Sequence, residues 1–448
     1  MLIRFTVENF LSFNQRTDFN MIASAEANHP YHVVKGKSEE EIGLLRTAIL
    51  YGANASGKSN LIKAINFARD FIIEGVGKNK NIRAENFKLD KNCYEKPSRF
   101  EFEFRYKGKQ YAYGFLVDKT KVCEEWLFEI GRQLEVPVFE RNGSRVVFNF
   151  QHDIFSNISD EDKQILSYEV RGTRKNLLFL TNCQERNIAH FKTAYEWFDT
   201  VLEIITPKSE LLSLLFFTET DKNITDSFED ILDFFGFRIK RIDIKETDFE
   251  KFDGMPKKRK ERIKEDFPNA DEKKEGIGIF SVRNGIIKRD DSGLLKLLKL
   301  TTIRDDKEGN EVIFEMSEES DGTRRVIYLI PMLMALLKGK VFIIDEIENS
   351  LHPLLMEKLF DLILNNKRFK DSESQLIAST HQVHLLDIKK LFRKDEIWFI
   401  EKNRNGESLA YSLANTDVED LDLVKGYLNG RFGAIPFIRD VKELGWEA

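Results

Sequence analysis

The segment that most constrains this chain is a glycine-containing loop between an apolar strand pattern and a helical pattern. It reads GANASGKS over residues 52–59 and fits the pattern G-x-x-x-x-G-K-[ST]. The apolar stretch 44–51 precedes it, and apolar residues between 61 and 72 recur with the period of a helix. A loop in this setting turns its backbone N–H groups and a helix N-terminus toward phosphate. The sequence therefore predicts a strand–loop–helix phosphate site.

Individual residues of this loop have separate predicted roles. Gly52 and Gly57 let the backbone approach phosphate closely, and Lys58 reaches the terminal phosphates. Ser59 supplies a hydroxyl to Mg²⁺. We expect the following nucleotide-binding residues: Gly52, Asn54, Ala55, Ser56, Gly57, Lys58, Ser59 and Asn60. The alternative, a glycine-rich turn with an incidental lysine, is disfavoured by the flanking strand and helix patterns.

Two adjacent carboxylates end a second apolar strand pattern, VFIIDE at residues 341–346. A buried strand explains the apolar run but does not require two acids at its carboxyl end. We expect Asp345, together with Ser59, to hold Mg²⁺ either directly or through water. Glu346 lies one residue later and points differently, so it is the candidate base that accepts a proton from an attacking water.

The residues around this acidic pair carry a family resemblance. Glu346 and the run IENSLHP at 347–353 resemble the ABC-type ATPases, including their SMC, RecF and OLD relatives. The N-terminal ENFLSF at 8–13 resembles the opening strand and loop of SMC- and RecF-like ATPases. The C-terminal DEIWFIEK at 395–402 resembles a bacterial group of stand-alone ABC-type ATPases, often called an AAA family, from phage-defence loci. The abortive-infection AbiL type, the restriction-linked Rlo type, and the Septu and PARIS ATPases are neighbours of that group. The resemblance covers about residues 1–150 and 290–440.

This resemblance implies roles for two further motifs. The strand pattern LIASTH at 376–381 ends in His381, where those families place a histidine that contacts the γ-phosphate. The segment SEESDGT at 317–323 resembles the ABC signature loop, which implies that Ser320 and the Gly322 backbone bind ATP held by a second copy. This segment is more acidic than the common leucine-serine-glycine-glycine form, and an ordinary acidic helix cap is the alternative for it. For His381 the alternative is a partly exposed histidine at a strand end.

The fold class implied is α/β: a P-loop ATPase of the ABC type with an antiparallel β-meander and an inserted, mainly helical lobe. The meander is predicted from FEFEFRY and QYAYGFLVD, two alternating strands around a glycine turn. Three domains are expected. They are residues 1–150 with the phosphate loop and meander, residues 151–290 as the inserted lobe with a charged segment at 245–276, and residues 291–448 with the signature, the acidic pair and His381.

Composition restricts the partners and the location. The 448 residues contain 69 Lys+Arg and 75 Asp+Glu, a net charge of −6, so no global positive field attracts nucleic acid or anionic lipid. The basic run KKRK at 257–260 is surrounded by acids and lacks interleaved aromatics, which favours a solvated face. Three distant cysteines predict neither disulfides nor a zinc site. The longest apolar run, 326–337, is too short to cross a membrane, so we expect a cytoplasmic protein without membrane contact.

Together, the motifs and the resemblance imply an Mg²⁺-dependent ATPase that dimerises or forms higher oligomers around ATP. The resemblance further implies a sensor or regulator subunit of an antiviral, abortive-infection type defence system. That subunit would control a separate effector such as a nuclease and respond to a nucleic acid or a phage protein. The alternative is a DNA-repair or DNA-maintenance ATPase similar to RecF and SMC that binds DNA directly, against which the net acidic charge counts. A peripheral transporter ATPase is a third, lower-ranked interpretation.

Overall fold

The computed structural model describes residues 1–36, 41–131, 134–206, 229–252, 255–266, 280–282, 285–290, 292–416, 423–430 and 432. The chain forms two compact units. The first unit comprises Met1–Thr206, Leu336–Glu348 and Glu357–Ala448, and the second comprises Pro207–Ala335 and Asn349–Met356. None of the helices among the described residues is long and apolar enough to cross a membrane. All three cysteines are free thiols, as the sequence predicts.

The regular elements are numbered here in chain order. The strands are β1 (Leu2–Glu8), β2 (Thr17–Asn20), β3 (Val33–Val34), β4 (Leu44–Leu45), β5 (Thr47–Tyr51), β6 (Ser98–Tyr106), β7 (Lys109–Val117), β8 (Val122–Ile130), β9 (Glu135–Asn142), β10 (Arg145–Phe148), β11 (Leu202–Ile205), β12 (Arg241–Asp248), β13 (Phe280–Val282), β14 (Gly285–Arg289), β15 (Leu295–Asp305), β16 (Glu311–Glu315), β17 (Val341–Ile344), β18 (Gln375–Ser379), β19 (Ile397–Lys402) and β20 (Ser408–Ser412). The α-helices are α1 (Lys58–Glu74), α2 (Asp160–Gly172), α3 (Phe179–Glu185), α4 (Lys192–Glu196), α5 (Lys257–Asp266), α6 (Asp321–Leu336), α7 (Pro353–Asn365), α8 (Lys367–Lys370) and α9 (Leu423–Leu428).

An antiparallel sheet of seven strands, in the order β10-β9-β8-β7-β6-β1-β2, confirms the predicted meander. In β6 the side chains of Phe100, Phe102 and Phe104 are buried and alternate with more exposed residues, because one face of the sheet packs on the core. The turn into β7 has positive φ at Lys107 (50°) and Gly108 (80°), the geometry of a two-residue hairpin turn. The alternation and the glycine turn thus set the register of this hairpin.

A second sheet of the first unit is mostly parallel and has the order β11-β17-β18-β5-β19-β20. Only β20 runs antiparallel to its neighbour. All residues of β5, β17 and β18 are buried, as expected for strands covered on both faces. In the register, Leu50 pairs with Ser379, and Ile344 pairs with Ala378. The three strands therefore end together, and the loops that follow them meet at one edge of the sheet.

The core of the first unit joins both sheets to the helices. Helix α1 contributes Leu61, Ile65 and Ala68, which recur on one face and are all buried. Aromatic rings fill the space beside the antiparallel sheet, where Phe104 stacks on Trp197 with ring centroids 4.3 Å apart. The strand–loop–helix connection at the phosphate loop is therefore anchored on both sides by buried apolar side chains.

The second unit contains an antiparallel sheet in the order β12-β15-β14-β13, with β16 also paired to β15. A small core of Phe249, Ile263, Ile287 and Leu297 supports it. The expected mainly helical lobe is thus helical at α2–α4, in the first unit, whereas its later part contains strands. Those strands follow alternating runs such as RIDIKETD, which frequent lysines and acids conceal in the sequence. Of the charged segment 245–276, the described residues complete β12 and form α5, and residues 267–279 lie outside the described residues.

A buried carboxylate connects the antiparallel sheet to the helices after it. Glu125 in β8 is fully buried and accepts hydrogen bonds from Phe179 N at 2.6 Å and Leu180 N at 2.9 Å, at the start of α3. Tyr113 Oη donates to the same carboxylate at 2.9 Å, and Arg141 forms a buried ion pair with it at 3.3 Å. Four donors therefore depend on one carboxylate.

We predict that Glu125→Ala lowers the free energy of unfolding of the first unit by about 3–5 kcal/mol, because the substitution leaves a buried guanidinium unpaired. Urea denaturation followed by circular dichroism measures this loss. The matched control is Glu124→Ala, which removes the exposed neighbouring carboxylate and should change stability by less than about 0.5 kcal/mol. Equal effects of the two substitutions would show that Glu125 does not hold the sheet and helices together.

Candidate nucleotide-binding site

The predicted phosphate loop connects the end of β5 to the first residue of α1. Its backbone has positive φ at Ala55 (63°) and Gly57 (121°), so the chain turns sharply before the helix begins. Lys58 Nζ folds back across the loop and donates to Gly52 O at 2.6 Å and Ala53 O at 3.2 Å. Among the described residues this buried lysine donates to carbonyl oxygens and forms no ion pair, so its charge is suited to bind an anion in the loop.

Close contacts require both glycines of the loop, and at Gly57 the positive φ favours glycine as well. A Cβ atom at Gly52 would lie 2.3 Å from Ile400 O, and one at Gly57 would lie 2.2 Å from Ser408 Oγ. Real Cβ atoms do not approach other atoms so closely. The sequence motif therefore reflects the packing behind the loop in addition to the approach of a phosphate in front of it.

A chain of hydrogen bonds supports the loop from behind. Asn60 Nδ2 donates to Ser12 Oγ at 2.8 Å, and Ser12 Oγ lies 2.8 Å from Ser408 Oγ. Ser408 Oγ in turn donates to Ser56 O at 2.6 Å. Ser12 and Ser408 are both buried. Sequence reasoning missed the function of these two residues: Ser12 lies within the ENFLSF motif, whereas nothing near Ser408 in the sequence signals its role.

The acidic pair follows β17 directly, as predicted. Asp345 is buried and accepts a hydrogen bond from Ser379 Oγ at 2.6 Å, while Glu346 N donates to the same hydroxyl at 2.8 Å. Glu346 has φ of 51°, an uncommon conformation for a residue other than glycine. Asp345 is buried whereas Glu346 is partly exposed, so the two consecutive carboxylates have different surroundings. Ser379, which the sequence analysis did not single out, fixes both residues.

His381 lies two residues beyond the end of β18 at the same edge of the sheet. Its backbone N donates to Glu348 Oε1 at 2.6 Å, so Glu348 positions the loop that carries the histidine. Partial burial and the Lys58 charge lower the pKa of His381, which favours a neutral imidazole at neutral pH. Glu348 was present in the motif IENSLHP but had no predicted role.

The charge of Lys58 is coupled to the carboxylates of this edge. Burial lowers the pKa of Lys58 to about 8, although the charges of Asp345, Glu348 and Glu346 raise it. The structure thus brings the phosphate loop, the acidic pair and His381 into one electrostatic environment. Their individual roles in binding and catalysis stay predictions.

The residues present fit a nucleotide. Ser56 Oγ is buried and has no hydrogen-bond partner among the described residues. Such an orphan is costly unless a ligand satisfies it. Together with the lysine and the turned loop, this hydroxyl suits a phosphate, and Ser59 and Asp345 are the residues that would hold Mg²⁺. The described residues contain no group of three or more His, Cys, Asp or Glu side chains suited to a metal. Magnesium usually takes most of its ligands from phosphate and water and only one or two from protein carboxylates.

The predicted signature residues belong to the second unit. Ser320 Oγ accepts a hydrogen bond from Thr323 N at 3.1 Å and caps the N-terminus of α6. A Cβ at Gly322 would lie 3.0 Å from Ser350 O, so a larger residue would displace its neighbour. The helix-cap alternative is thus present in the structure. It does not exclude phosphate binding, because the same helix N-terminus presents backbone N–H groups.

The acids of the signature segment have partners of their own. Glu319 is buried and pairs with Arg304 at 2.7 Å. Asp321 pairs with Arg324, and Glu318 Oε2 accepts a hydrogen bond from the backbone N of Glu315 at 2.7 Å. Paired carboxylates repel a phosphate less than free ones do. The acidic composition that sets this segment apart therefore does not by itself argue against an anion site.

The family of the chain follows from a sequence comparison. Residues 48–387 match the AAA_21 family, described as "AAA domain, putative AbiEii toxin, Type IV TA system". The chain belongs to this family. The matched region of this AAA_21 chain includes the phosphate loop, the acidic pair, the signature segment and His381. No curated protein matches the chain.

Solved structures of SMC heads show a weak similarity to this AAA_21 chain. The SMC head domain from Thermotoga maritima has 13% sequence identity and a TM-score of 0.38, with 92% of this chain and 98% of that chain covered. An SmcHead bound to the C-winged helix domain of ScpA has 14% identity and a TM-score of 0.38, covering 92% and 97%. An Smc head domain with an extended coiled coil, bound to the C-terminal domain of ScpA derived from Pyrococcus furiosus, has 14% identity and a TM-score of 0.40, covering 96% and 98%. At these values the similarity supports no conclusion about the site.

The hydrogen-bond chain behind the loop makes Ser408 testable. We predict that Ser408→Ala weakens nucleotide binding about 5- to 30-fold, because the Ser56 carbonyl loses its buried donor and the loop loses its support. Titration with a fluorescent ATP analogue measures the affinity. Ser412→Ala, on the same strand, removes a hydroxyl that accepts from Ala414 N and should bind normally. If both variants bind like the parent protein, the support is not needed.

The lowered pKa of Lys58 predicts how binding depends on pH. Phosphate favours the charged ammonium, so the pKa of Lys58 rises when nucleotide binds and, above pH 8, binding takes up a proton. Affinity should therefore be constant below pH 8 and fall above it, by up to about tenfold per pH unit. Titration at several pH values tests this, with Lys58→Ala expected to bind weakly and without that fall. An affinity that stays constant well above pH 8 would contradict the assignment.

Proposed function

We propose that this chain is an Mg²⁺-dependent ATP hydrolase of the ABC type in which bound ATP joins two copies. One observation carries the proposal. The phosphate loop, the acidic pair and His381 follow three adjacent parallel strands that end together, and the charge of Lys58 interacts with those of the carboxylates. A parallel sheet with its site at the carboxyl ends of its strands is the usual setting for nucleotide chemistry.

The residues at this edge of the parallel sheet have different roles in ATP hydrolysis. Lys58 and the loop N–H groups bind the terminal phosphates, and Ser59 and Asp345 hold Mg²⁺, which supplies neutralising charge for the phosphates when bound. Glu346 accepts the proton of the attacking water. His381, whose pKa is lowered, contacts the γ-phosphate as a neutral imidazole. Ser379 fixes Asp345 and the backbone of Glu346 in place.

A second copy completes each site in this proposal. Ser320 and Gly322 lie at or beside the N-terminus of α6, a helix of 16 residues whose first turn offers N–H groups and a positive dipole. The neighbouring Glu319 and Asp321 are paired with arginines. In a two-fold pair each copy would supply this helix end to the ATP of the other, which closes the assembly at two nucleotides. ATP bound to the phosphate loops would then be required for dimerisation.

We further propose a regulatory role in defence against phage. The family description names a type IV toxin–antitoxin system, which supports a defence context. Among the described residues there is no metal-binding group of His, Cys, Asp and Glu that a nuclease centre of its own would use. From the family resemblance we infer that the toxic step belongs to a separate effector, such as a nuclease, which the ATP-dependent pair controls. A nucleic acid or a phage protein is the proposed trigger.

Glu346→Gln tests the catalytic assignment and the dimer together. The variant should bind ATP like the parent protein but turn over about 10²- to 10⁴-fold more slowly, because it lacks the general base. It should also accumulate as an ATP-dependent dimer, measured by light scattering after size exclusion. The matched control is Glu373→Gln, which replaces an exposed carboxylate of the same unit by a carboxamide and should show neither effect. Hydrolysis at the parent rate would exclude Glu346 as the base.

A second substitution separates dimerisation from catalysis. Ser320→Arg should leave ATP binding by the phosphate loop intact, yet prevent the ATP-dependent increase in mass, because a long side chain would block the helix end. If ATP leaves the mass of both Glu346→Gln and the parent protein unchanged, the two-copy proposal is wrong even when ATP is hydrolysed.

A further inference from the structure

Three loops of the first unit bring many basic side chains to one part of its surface. The loops are residues 76–83 after α1, residues 118–121 between β7 and β8, and residues 171–176 at the end of α2. We call their cationic residues the basic loop surface: Lys78, Lys80, Arg83, Lys119, Lys121, Arg171, Arg174 and Lys175. They come from three separate parts of the sequence, so they do not form a contiguous basic run that would indicate the surface.

Hydrogen bonds of the backbone and of one buried side chain hold the three loops together. Ile82 N donates to Lys119 O at 2.9 Å, and Val122 N donates to Lys175 O at 2.7 Å. The buried Asn176 reaches the first loop, where its Nδ2 donates to Lys80 O at 3.0 Å and to the carbonyl of residue 77 at 3.2 Å. The neighbouring positions of these cations are therefore fixed by the fold, although their charges repel one another.

The described residues of the first unit supply no ion-pair partner for the cations of this surface. None of the eight residues takes part in an ion pair between described residues, and seven of them are exposed. The eighth, Arg174, donates to Val76 O at 3.2 Å. The only acid in the three loops, Asp118, accepts hydrogen bonds from Thr120 and from Lys121 N. A chain with a net charge of −6 thus maintains a concentrated positive patch.

Helix termini explain only part of this concentration. Helix α2 ends at Gly172. The negative end of its dipole therefore favours the nearby cations Arg171, Arg174 and Lys175. The remaining five cations have no such reason. Helix α1 ends at Glu74, and the loop 118–121 joins two strands. A structural explanation therefore leaves most of the patch unaccounted for.

We propose that the basic loop surface binds the phosphate backbone of duplex DNA. Duplex DNA carries about one negative charge per 1.7 Å of its axis, and binding of cations releases its condensed counterions. The loops also expose Asn79, Asn81 and Thr120, side chains that commonly donate to phosphate and sugar oxygens. No base-specific contact is required, so the binding is expected to be independent of sequence.

The composition of the loops disfavours other anionic partners. The loops contain no aromatic residue, so they offer no platform on which the bases of a single strand could stack. Their apolar side chains are few, with Ile82 buried and Val76 partly buried, so nothing is available to insert into a lipid surface. Polar donors around a set of cations suit a duplex backbone best.

This inference extends the proposed function, because it places a DNA contact on the ATPase chain itself, and it can fail independently of ATP hydrolysis. In the sequence, neither the net charge nor the contiguous basic run at 257–260 indicates this surface. In the structure that run begins α5, and its Lys260 donates to the Glu250 carbonyl at 2.7 Å. The discontinuous surface, and not the contiguous run, is the proposed site.

The test replaces Lys80, Lys119 and Lys121 together by Gln in the full chain. Fluorescence anisotropy with a labelled duplex of mixed sequence measures affinity over a series of salt concentrations, with and without ATP. We expect the affinity to fall roughly 10- to 100-fold at physiological salt, and the slope of log affinity against log salt to lose about one unit per removed cation.

The matched control replaces Lys257, Lys258 and Arg259 by Gln, which removes the same charge from the contiguous basic run and should leave DNA affinity unchanged. Both variants should keep the ATPase rate and circular dichroism spectrum of the parent protein, since none of these residues lies in the nucleotide site. Parallel titrations use single-stranded DNA, duplex RNA and phosphatidylserine vesicles.

Four results would overturn the proposal: no binding of duplex DNA by the parent protein, equal loss in both triple variants, no loss in the loop variant, or tighter binding of any parallel probe than of duplex DNA. ATP hydrolysis is measured separately on the same preparations. Failure of the DNA proposal with intact ATPase activity, and failure of the ATPase assignment with intact DNA binding, are therefore distinguishable results.

Discussion

The register of three parallel strands determines the rest of the candidate site. Because Leu50 pairs with Ser379 and Ile344 with Ala378, strands β5, β18 and β17 end at one level. A change of register by one residue would turn every buried side chain to the other face and separate the loops that now meet. The lysine, the two carboxylates and the histidine are therefore neighbours because of backbone pairing in a fully buried sheet, and not because of attraction between their charges.

Hydrogen bonds then limit the freedom of the loops that leave this edge. Glu346 N and Ile347 N donate to Ser379 Oγ and Ser379 O, at 2.8 and 3.2 Å, so the loop after β17 is held by the last residue of β18. The phosphate loop is held from behind by Ser408 and Ser12. Such preorganisation lowers the entropic cost of binding, since the groups that meet the ligand are already ordered.

How much the sequence predicts depends on whether the determining contacts are local. The phosphate loop and the Asp345–Glu346 pair follow from short patterns, because a buried strand, a turn and a helix are each visible within a few residues. Ser408 contacts Ser12 across a separation of 396 residues, and no pattern near either residue indicates the contact. Glu125 is similarly concealed, since an acid in an alternating strand normally faces solvent. Strand β12 was missed because lysines and acids conceal its alternation, so part of a lobe expected to be mainly helical forms a strand.

The buried charged and polar groups of the site indicate which contacts a ligand would make. Lys58 keeps a buried charge with a lowered pKa, and both Ser56 Oγ and Glu348 Oε2 are buried without partners among the described residues. Buried polar atoms are normally satisfied, and leaving one unpaired costs about 1–3 kcal/mol. A phosphate would satisfy the lysine and the hydroxyl but repel the glutamate, which also holds the backbone of His381. Nucleotide binding should thus strain the contact between Glu348 and His381, which links occupancy of the loop to the position of the residue proposed to contact the γ-phosphate.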